Sequence, residues 1–358
     1  MRVRPPPSID DIRERLAADG IDHVGVCDAS VLGEARTALH QRKAAGLDGG
    51  MEFTYRNPDR STDPGRAVEG ARSIIAAARP YLPSEISDAA ASSADGPRGA
   101  VGKYAWVDHY APLLDALRDV CRDIRRAGYR AVAFADDNSL VDRAVAHRAG
   151  LGWYGKNANL LLPGAGSFFV LGSIVTTAQY EPATDPVADG CGSCRRCLDA
   201  CPTAAIVADG VVDGGRCLSW VGQRAGAIPE HLRAPLGDHL YGCDDCQDVC
   251  PISVRLGRRN TIDLDDLGAV GQVDLLDLLA CSDDEILQRH GRWYIAQRQP
   301  RWLRRNALVI LGNVADPADP AVRSVLERYS AGADAVLVEH ARWALDRLAD
   351  RSLSPSRV

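Results

Sequence analysis

The chain has 358 residues, 46% of them hydrophobic, and a formal net charge of −6, enough for two or three compact units with cores of their own. No run of 18 apolar residues occurs, which excludes a transmembrane helix, and the acidic balance excludes a generally basic nucleic-acid coat while leaving room for a local basic face. The N-terminus MRVRPPPSID has no apolar signal segment, so a reducing cytoplasmic location is expected.

SIDDIRERLAAD at 8–19 predicts a capped amphipathic helix, and HVGVCDA at 23–29 a short strand. ARSIIAAARPYL at 71–82 predicts a strand buried on both faces. SEISDAAASSADGPRGA, 84–100, is small, polar and aperiodic and reads as a loop that could serve as a lid. YAPLLDALRDVCRDIRRA at 110–127 has helical periodicity, cations in its last turn and Gly128 as its stop. YRAVAFADD then reads as a strand. LVDRAVAHRAGLGWYGKNANLLLPGAGSFFVLGSIVTT begins as a helix, becomes a glycine-punctuated loop and ends as a strand. This alternation predicts an α/β or α+β unit over 1–182, taken as α/β, within a chain of α+β class. Neither a G-x-G-x-x-G before a helix nor a P-loop occurs, which argues against nicotinamide or nucleotide binding.

Eight of the eleven cysteines lie between 191 and 250. CGSCRRCLDACP is C-x2-C-x2-C-x3-C-P, a run in which three thiolates hold one [4Fe–4S] cube and the fourth crosses to a second. CDDCQDVCP is a shortened echo. If Cys250 crosses back, one cube takes Cys191, Cys194, Cys197 and Cys250, and the other Cys201, Cys217, Cys243 and Cys246. Structural zinc prefers paired C-x2-C knuckles, and disulfides do not suit a reducing compartment. A two-cluster ferredoxin-like unit is therefore expected over 183–257. Cys27, Cys121 and Cys281 read as small core residues.

Beyond residue 270 the pattern is helical: VDLLDLLA, DDEILQRHG, RWLRRNALVILGNV, PAVRSVLERYS and DAVLVEHARWALDRLAD. Helix pairs separated by Asp/Pro turns suggest short HEAT-like repeats over 258–358, packed against the rest of the chain. No acidic residue lies between Ile286 and Val314, where Arg289, Arg292, Arg298, Arg301, Arg304 and Arg305 alternate with Trp293, Tyr294 and Trp302. Such a stripe can contact RNA phosphates and stack on unpaired bases; the alternative is a solvated helix face over core tryptophans. Arg258 and Arg259 could extend it.

ADDNSLVDRAVAHRAGLGWYGKN, the cysteine pattern, RCLSWVGQRAGAIP and YGCDDCQDVCP, in that order, resemble the epoxyqueuosine reductases, cobalamin and iron–sulfur enzymes of tRNA modification. The resemblance covers nearly the whole chain. It implies reductive opening of the epoxide of epoxyqueuosine at the wobble position of tRNA anticodons, with two electrons and two protons consumed and water released. It also implies electrons passing from an unidentified donor through two [4Fe–4S] clusters to cobalamin. The proton donor it implies is Asp136, which opens D-x-x-x-L-V-D-R. By the same resemblance Arg60, Gly102, Asp136, Leu160, Leu171, Ser219 and Asp244 would line the cobalamin, and the enzyme is expected to act as a monomer away from membranes.

On the residues alone, Asp136 ends the predicted strand YRAVAFA and can point into a crevice there. Asp142 reads as a helix N-terminal charge or a partner of Arg143, with the role of acid as its alternative, and Asp137 as solvated. Without D-x-H-x-x-G, histidine ligation of cobalt has no support. WVDHYAP departs from the aspartate–tyrosine–histidine order of relatives, and His109 reads as a satisfied core or surface histidine. His147 reads as structural and Lys156 as solvated. Two rival readings are a corrinoid reductive dehalogenase, whose respiratory examples carry a twin-arginine signal, and an electron-transfer protein with no substrate of its own.

Overall fold

The computed structural model describes residues 4–81, 96–183, 186–257 and 268–353. The lid expected at 84–100 lies mostly outside these, as do Arg258 and Arg259. The strands are β1 (His23–Asp28), β2 (Ser73–Pro80), β3 (Arg98–Val101), β4 (Ala131–Ala135), β5 (Trp153–Tyr154), β6 (Leu160–Leu161), β7 (Phe169–Thr176), β8 (Ile206–Ala208), β9 (Val211–Val212), β10 (His239–Tyr241) and β11 (Gln272–Asp274).

The N-terminal sheet has the order β1-β2-β7-β4, and every pairing in it is antiparallel. This corrects the α/β expectation for the unit and leaves its α+β alternative. Alternation of strands and helices shows that helices cover the sheet but carries no information on strand direction. β2 is buried on both faces, as its unbroken apolar run predicts. Ile75 and Ala77 join the core with Leu113, Leu117 and Ile124 of the helix Tyr110–Arg126. Ile74, Ala76 and Ala78 face the opposite way, toward Val145 of the helix Asp142–Arg148. That second helix sits close: a Cβ on Gly25 of β1 would lie 2.2 Å from the carbonyl oxygen of Ala149. The first helix, Ile9–Ala18, starts at a capping box in which Ser8 and Asp11 satisfy each other's backbone amides.

A second sheet, β10-β3-β11, joins three distant stretches of chain. β3 lies upstream of the N-terminal helix Tyr110–Arg126, β10 between the two cysteine runs, and β11 where the C-terminal helices begin. Val273 and Asp274, expected in a helix, pair with β3 instead, and Asp274 caps the helix Leu275–Ala280 by accepting from the Asp277 amide at 2.9 Å. The helices Arg301–Val314, Pro320–Ser330 and Ala335–Leu353 share one core with Trp106 of the N-terminal stretch and with Val221, Leu232 and Leu240 of the spacer between the cysteine runs. The C-terminal helices therefore pack on the rest of the chain, as expected. Cys27 and Cys121 are buried, but Cys281 is only half-buried, at the end of the helix Leu275–Ala280.

Candidate functional site

A cavity of about 810 Å³ opens between the end of the N-terminal sheet and the cysteine-rich segment. Asp136, Asp142, Leu160, Leu171, Ser219 and Asp244 line it; Arg60 and Gly102 do not. Arg60 reaches Ser139 Oγ at 3.4 Å, and the Gly102 amide donates to the carbonyl of Tyr241 at 2.7 Å, holding the turn after β3 from behind.

Asp136 follows β4 directly and takes φ 50°, the left-handed region that a non-glycine residue adopts at some cost. Burial and then the charge of Asp137 push its carboxyl above the ordinary range. Asp137 is more than solvated, since its Oδ1 accepts from the Ser139 amide at 2.7 Å and closes the turn. Asp142 opens the helix Asp142–Arg148, and its Oδ1 is buried with no hydrogen-bond partner. Burial raises its carboxyl furthest, followed by the charges of Asp136 and Asp137, while Arg143 opposes the shift. Arg143 itself donates to the carbonyl of Ala158 at 2.6 Å. Asp136 and Asp142 thus both favour their protons and face one cavity, as does Asp244 on its far wall, where burial also raises the carboxyl.

His109 differs from expectation. It is buried, its Nδ1 lies 3.5 Å from Arg79 Nη1, and its Nε2 is buried without a partner beside the cavity. Burial first, then Arg79 and Arg292, push it down to about 4, so the ring is neutral. His147 packs against the ring of Tyr154 with centroids 5.1 Å apart. Lys156 is ion-paired rather than merely solvated, with Nζ 3.3 Å from Asp209.

None of the eight clustered cysteines is in a disulfide. Cys201, Cys217, Cys243 and Cys246 line the cavity; Cys191, Cys194, Cys197 and Cys250 do not. Burial raises the Cys197 thiol, and nearby Cys250 and Cys191 raise it further. Burial likewise raises Cys246, helped most by Cys217, with Asp244, Cys197 and Cys201 adding to it. Neighbouring thiols that resist ionisation on their own suit a site where iron supplies the compensating positive charge. The residues therefore fit two clusters, one of them on the cavity wall.

Sequence reasoning missed the polar groups around this inner quartet. Asn157 Nδ2 donates to the Cys246 carbonyl at 3.2 Å, and Asn159 Nδ2 lies 3.9 Å from Cys246 Sγ. His239 Nε2 is 3.8 Å from Cys243 Sγ and 3.2 Å from Asp245; burial opposes its charge, but these two partners raise it to about 10. The N-A-N stretch after GWYGK carried a signal for the first pair, though only its lysine stood out. For His239 no local signal exists.

The arginine stripe divides. Arg305 is fully buried, with Nη1 on the carbonyls of Arg224 (2.8 Å) and Gly226 (2.5 Å) and Nη2 on those of Val221 (3.2 Å) and Gly222 (3.0 Å). No phosphate can reach it. Arg304 is largely covered and held by Asp283 and the Cys281 carbonyl, so it too is corrected from an RNA contact to a strut. Trp293 and Trp302 are buried, which removes them as stacking platforms. Arg298 is exposed, Arg301 pairs with Asp334 at 2.6 Å, and Tyr294 is 50% exposed at the cavity.

Residues 190–253 match the model of a 4Fe-4S double cluster binding domain. The epoxyqueuosine reductase of Bacillus anthracis is 31% identical over 334 residues, 92% of this chain and 86% of the relative. That of Xanthomonas campestris is 33% identical, over 96% of this chain and 97% of the relative. The epoxyqueuosine reductase structure from Streptococcus thermophilus superposes with a TM-score of 0.85 at 28% identity, covering 98% of this chain and 91% of that one. An epoxyqueuosine reductase crystallised with an epoxyqueuosine-modified stem loop of tyrosine tRNA gives 0.83 at 29% identity, over 96% and 91%. Among the described residues no helix is long and apolar enough to cross a membrane.

Proposed function

The chain belongs to the epoxyqueuosine reductase family, and from that premise we propose how its cavity carries out the reaction. The enzyme reduces epoxyqueuosine to queuosine at the wobble position of tRNA. Two electrons and two protons enter, the epoxide C–O bonds break, a carbon–carbon double bond forms, and the oxygen leaves as water. The observation that carries the reading is that Asp136 and the inner quartet, Cys201, Cys217, Cys243 and Cys246, face one cavity.

Two [4Fe–4S] clusters on the eight cysteines would supply single electrons, and cobalamin held in the cavity would supply a strongly reducing cobalt. The orphaned His109 Nε2 and Asp142 Oδ1 give the wall polar atoms in need of partners, which suits the amide-rich rim of a corrin. Leu160 and Leu171 give it an apolar face that excludes water. Asp136, raised by burial and by the charge of Asp137, keeps its proton closer to neutral pH than an ordinary aspartate and donates it to the departing oxygen. Tyr294 and Arg298 stand on the accessible part of the arginine stripe, where the anticodon loop would lie. We read the C-terminal helices as a short HEAT-like unit that presents this stripe, and the cytosol as the compartment that keeps the eight thiols reduced.

The test is anaerobic incubation of the reconstituted chain with cobalamin, a chemical reductant and epoxyqueuosine-containing tRNA, followed by nucleoside mass analysis. Queuosine should accumulate. Full cofactor loading without any queuosine would overturn the reading.

A further inference from the structure

We propose that the face over Cys194 and Cys197, carrying Arg195, Arg196 and Arg255, is the docking surface for an acidic one-electron carrier protein. The inference rests on the two-cluster reading above. The inner quartet faces the substrate cavity, so electrons must arrive at the outer one, Cys191, Cys194, Cys197 and Cys250, none of which lines that cavity. Of these, Cys194 is exposed, which brings its cluster within reach of a partner at the surface.

A second concavity, about 780 Å³, lies beside this quartet. Val249, Pro251 and Val254 give it an apolar floor, and Arg196 and Arg255 stand on its wall. Arg195, Arg196 and Arg255 are exposed, and among the described residues none has an acidic partner. Of the nearby acids, Asp248 is taken up by Lys103 Nζ at 2.8 Å, and Asp189 caps the Cys191 amide at 2.8 Å. Asp199 remains on the wall, one carboxylate against the guanidiniums of Arg196 and Arg255, with exposed Arg195 next in the chain. A positive rim around a small apolar floor, on a chain whose net charge is −6, complements an acidic partner that binds briefly and leaves.

The step is a one-electron transfer: the reduced carrier is oxidised by one electron and the outer cluster is reduced by one, with no bond made or broken. The test uses the reconstituted holoprotein and a reduced bacterial flavodoxin as probe, with cluster bleaching followed by stopped flow and binding of oxidised flavodoxin by titration. Arg195→Glu/Arg196→Glu/Arg255→Glu should lower the second-order bleaching rate at least about tenfold at low salt and weaken binding in parallel. The difference should vanish near about 1 M salt, where the Debye length is about 3 Å. Dithionite should bleach variant and wild type alike. The single change Arg255→Glu, outside the cysteine run, guards against iron loss in the triple variant and should show a smaller fall. Equal flavodoxin rates at low salt, or no reduction of the wild type by flavodoxin, would overturn the proposal. Failure of dithionite to bleach the iron-loaded wild type would sink the cluster reading and this proposal with it.

Discussion

The backbone amide of Lys103 donates to Oδ2 of Asp244 at 2.7 Å, tying the turn after β3 to the residue beside cluster cysteine Cys243. Asp244 is 7% exposed, and burial raises its carboxyl while Lys103 holds it down. Asp244→Ala leaves a buried amide without an acceptor and should lower stability by about 1–3 kcal/mol. Lys103→Ala keeps that bond and loses the ammonium's pairing with Asp248 at 2.8 Å and its longer one with buried Asp244 at 3.6 Å; Asp244 can take up a proton once unpaired, so the loss should stay near about 1 kcal/mol. Thermal melts of both variants decide the matter: a larger loss in Lys103→Ala would show that the ammonium, not the amide, holds the two segments together.

The split of the cysteines between cavity wall and outer face predicts how iron is lost. Cys243→Ala/Cys246→Ala should empty the inner site alone, leaving about four irons of eight. Iron analysis with electron paramagnetic resonance of the reduced protein checks this. Retention of all the iron would contradict the partition.

Asp136 and Asp142 share a cavity but should respond differently to loss of charge. Asp136→Asn should keep its iron yet lose turnover by about 10²-fold or more, the usual contribution of a placed proton donor. Asp142→Asn should stabilise the fold near neutral pH. Its folded carboxyl titrates above the unfolded value, so the stability it contributes is present below about 3.9 and is lost as pH rises through the folded value. Melting temperatures at pH 5 and pH 8 should therefore differ less in Asp142→Asn than in the wild type.

Much of this site was written locally. The cysteine spacing carries its own ligand pattern, and Asp136 follows a strand whose end is marked by the change from YRAVAFA to DDNS. The unbroken apolar run of β2 announced burial on both faces. What escaped depends on groups far apart in sequence. Arg298 and Arg305 carry the same side chain seven positions apart, yet Arg305 is drawn inside by carbonyls of residues 221–226 that turn toward it. Its burial is a property of that loop as much as of its own helix. Strand direction escaped for a similar reason, since β7 pairs antiparallel with both β2 and β4 through contacts that no single segment encodes.

That difference between the two arginines can be measured. Arg305→Ala strips several buried carbonyls of their donor and should cost at least about 3 kcal/mol, while the salt dependence of stem-loop binding by the surviving folded protein stays unchanged. Arg298→Ala should leave the melt nearly unaltered, weaken binding, and reduce the slope of log K against log salt by about 1. A changed slope in Arg305→Ala would return that residue to the interface.

His340 gives the fold an acid-sensitive joint. It is fully buried on the helix Ala335–Leu353, where its Nε2 accepts from the Ile228 amide at 3.0 Å and its Nδ1 donates to the Val336 carbonyl at 2.6 Å. Only the neutral ring can do both, because a proton on Nε2 would meet the Ile228 N–H head on. Burial first, and then the charges of Arg233 and Arg305 against the Val336 bond, push it down to about 4. The unfolded chain takes up this proton near 6.5, so the stability it supplies is complete above that pH and is lost as pH falls toward 4. His340→Met should lower stability at pH 7.5, where the Ile228 amide loses its acceptor, and the gap to the wild type should narrow by pH 5. His109 and His290, also pushed to about 4, keep titrating in the variant, so its pH dependence should be reduced but not abolished. Denaturant titrations across pH 5 to 7.5 measure both effects, and parallel curves for the two proteins would rule out His340 as a source of the acid sensitivity.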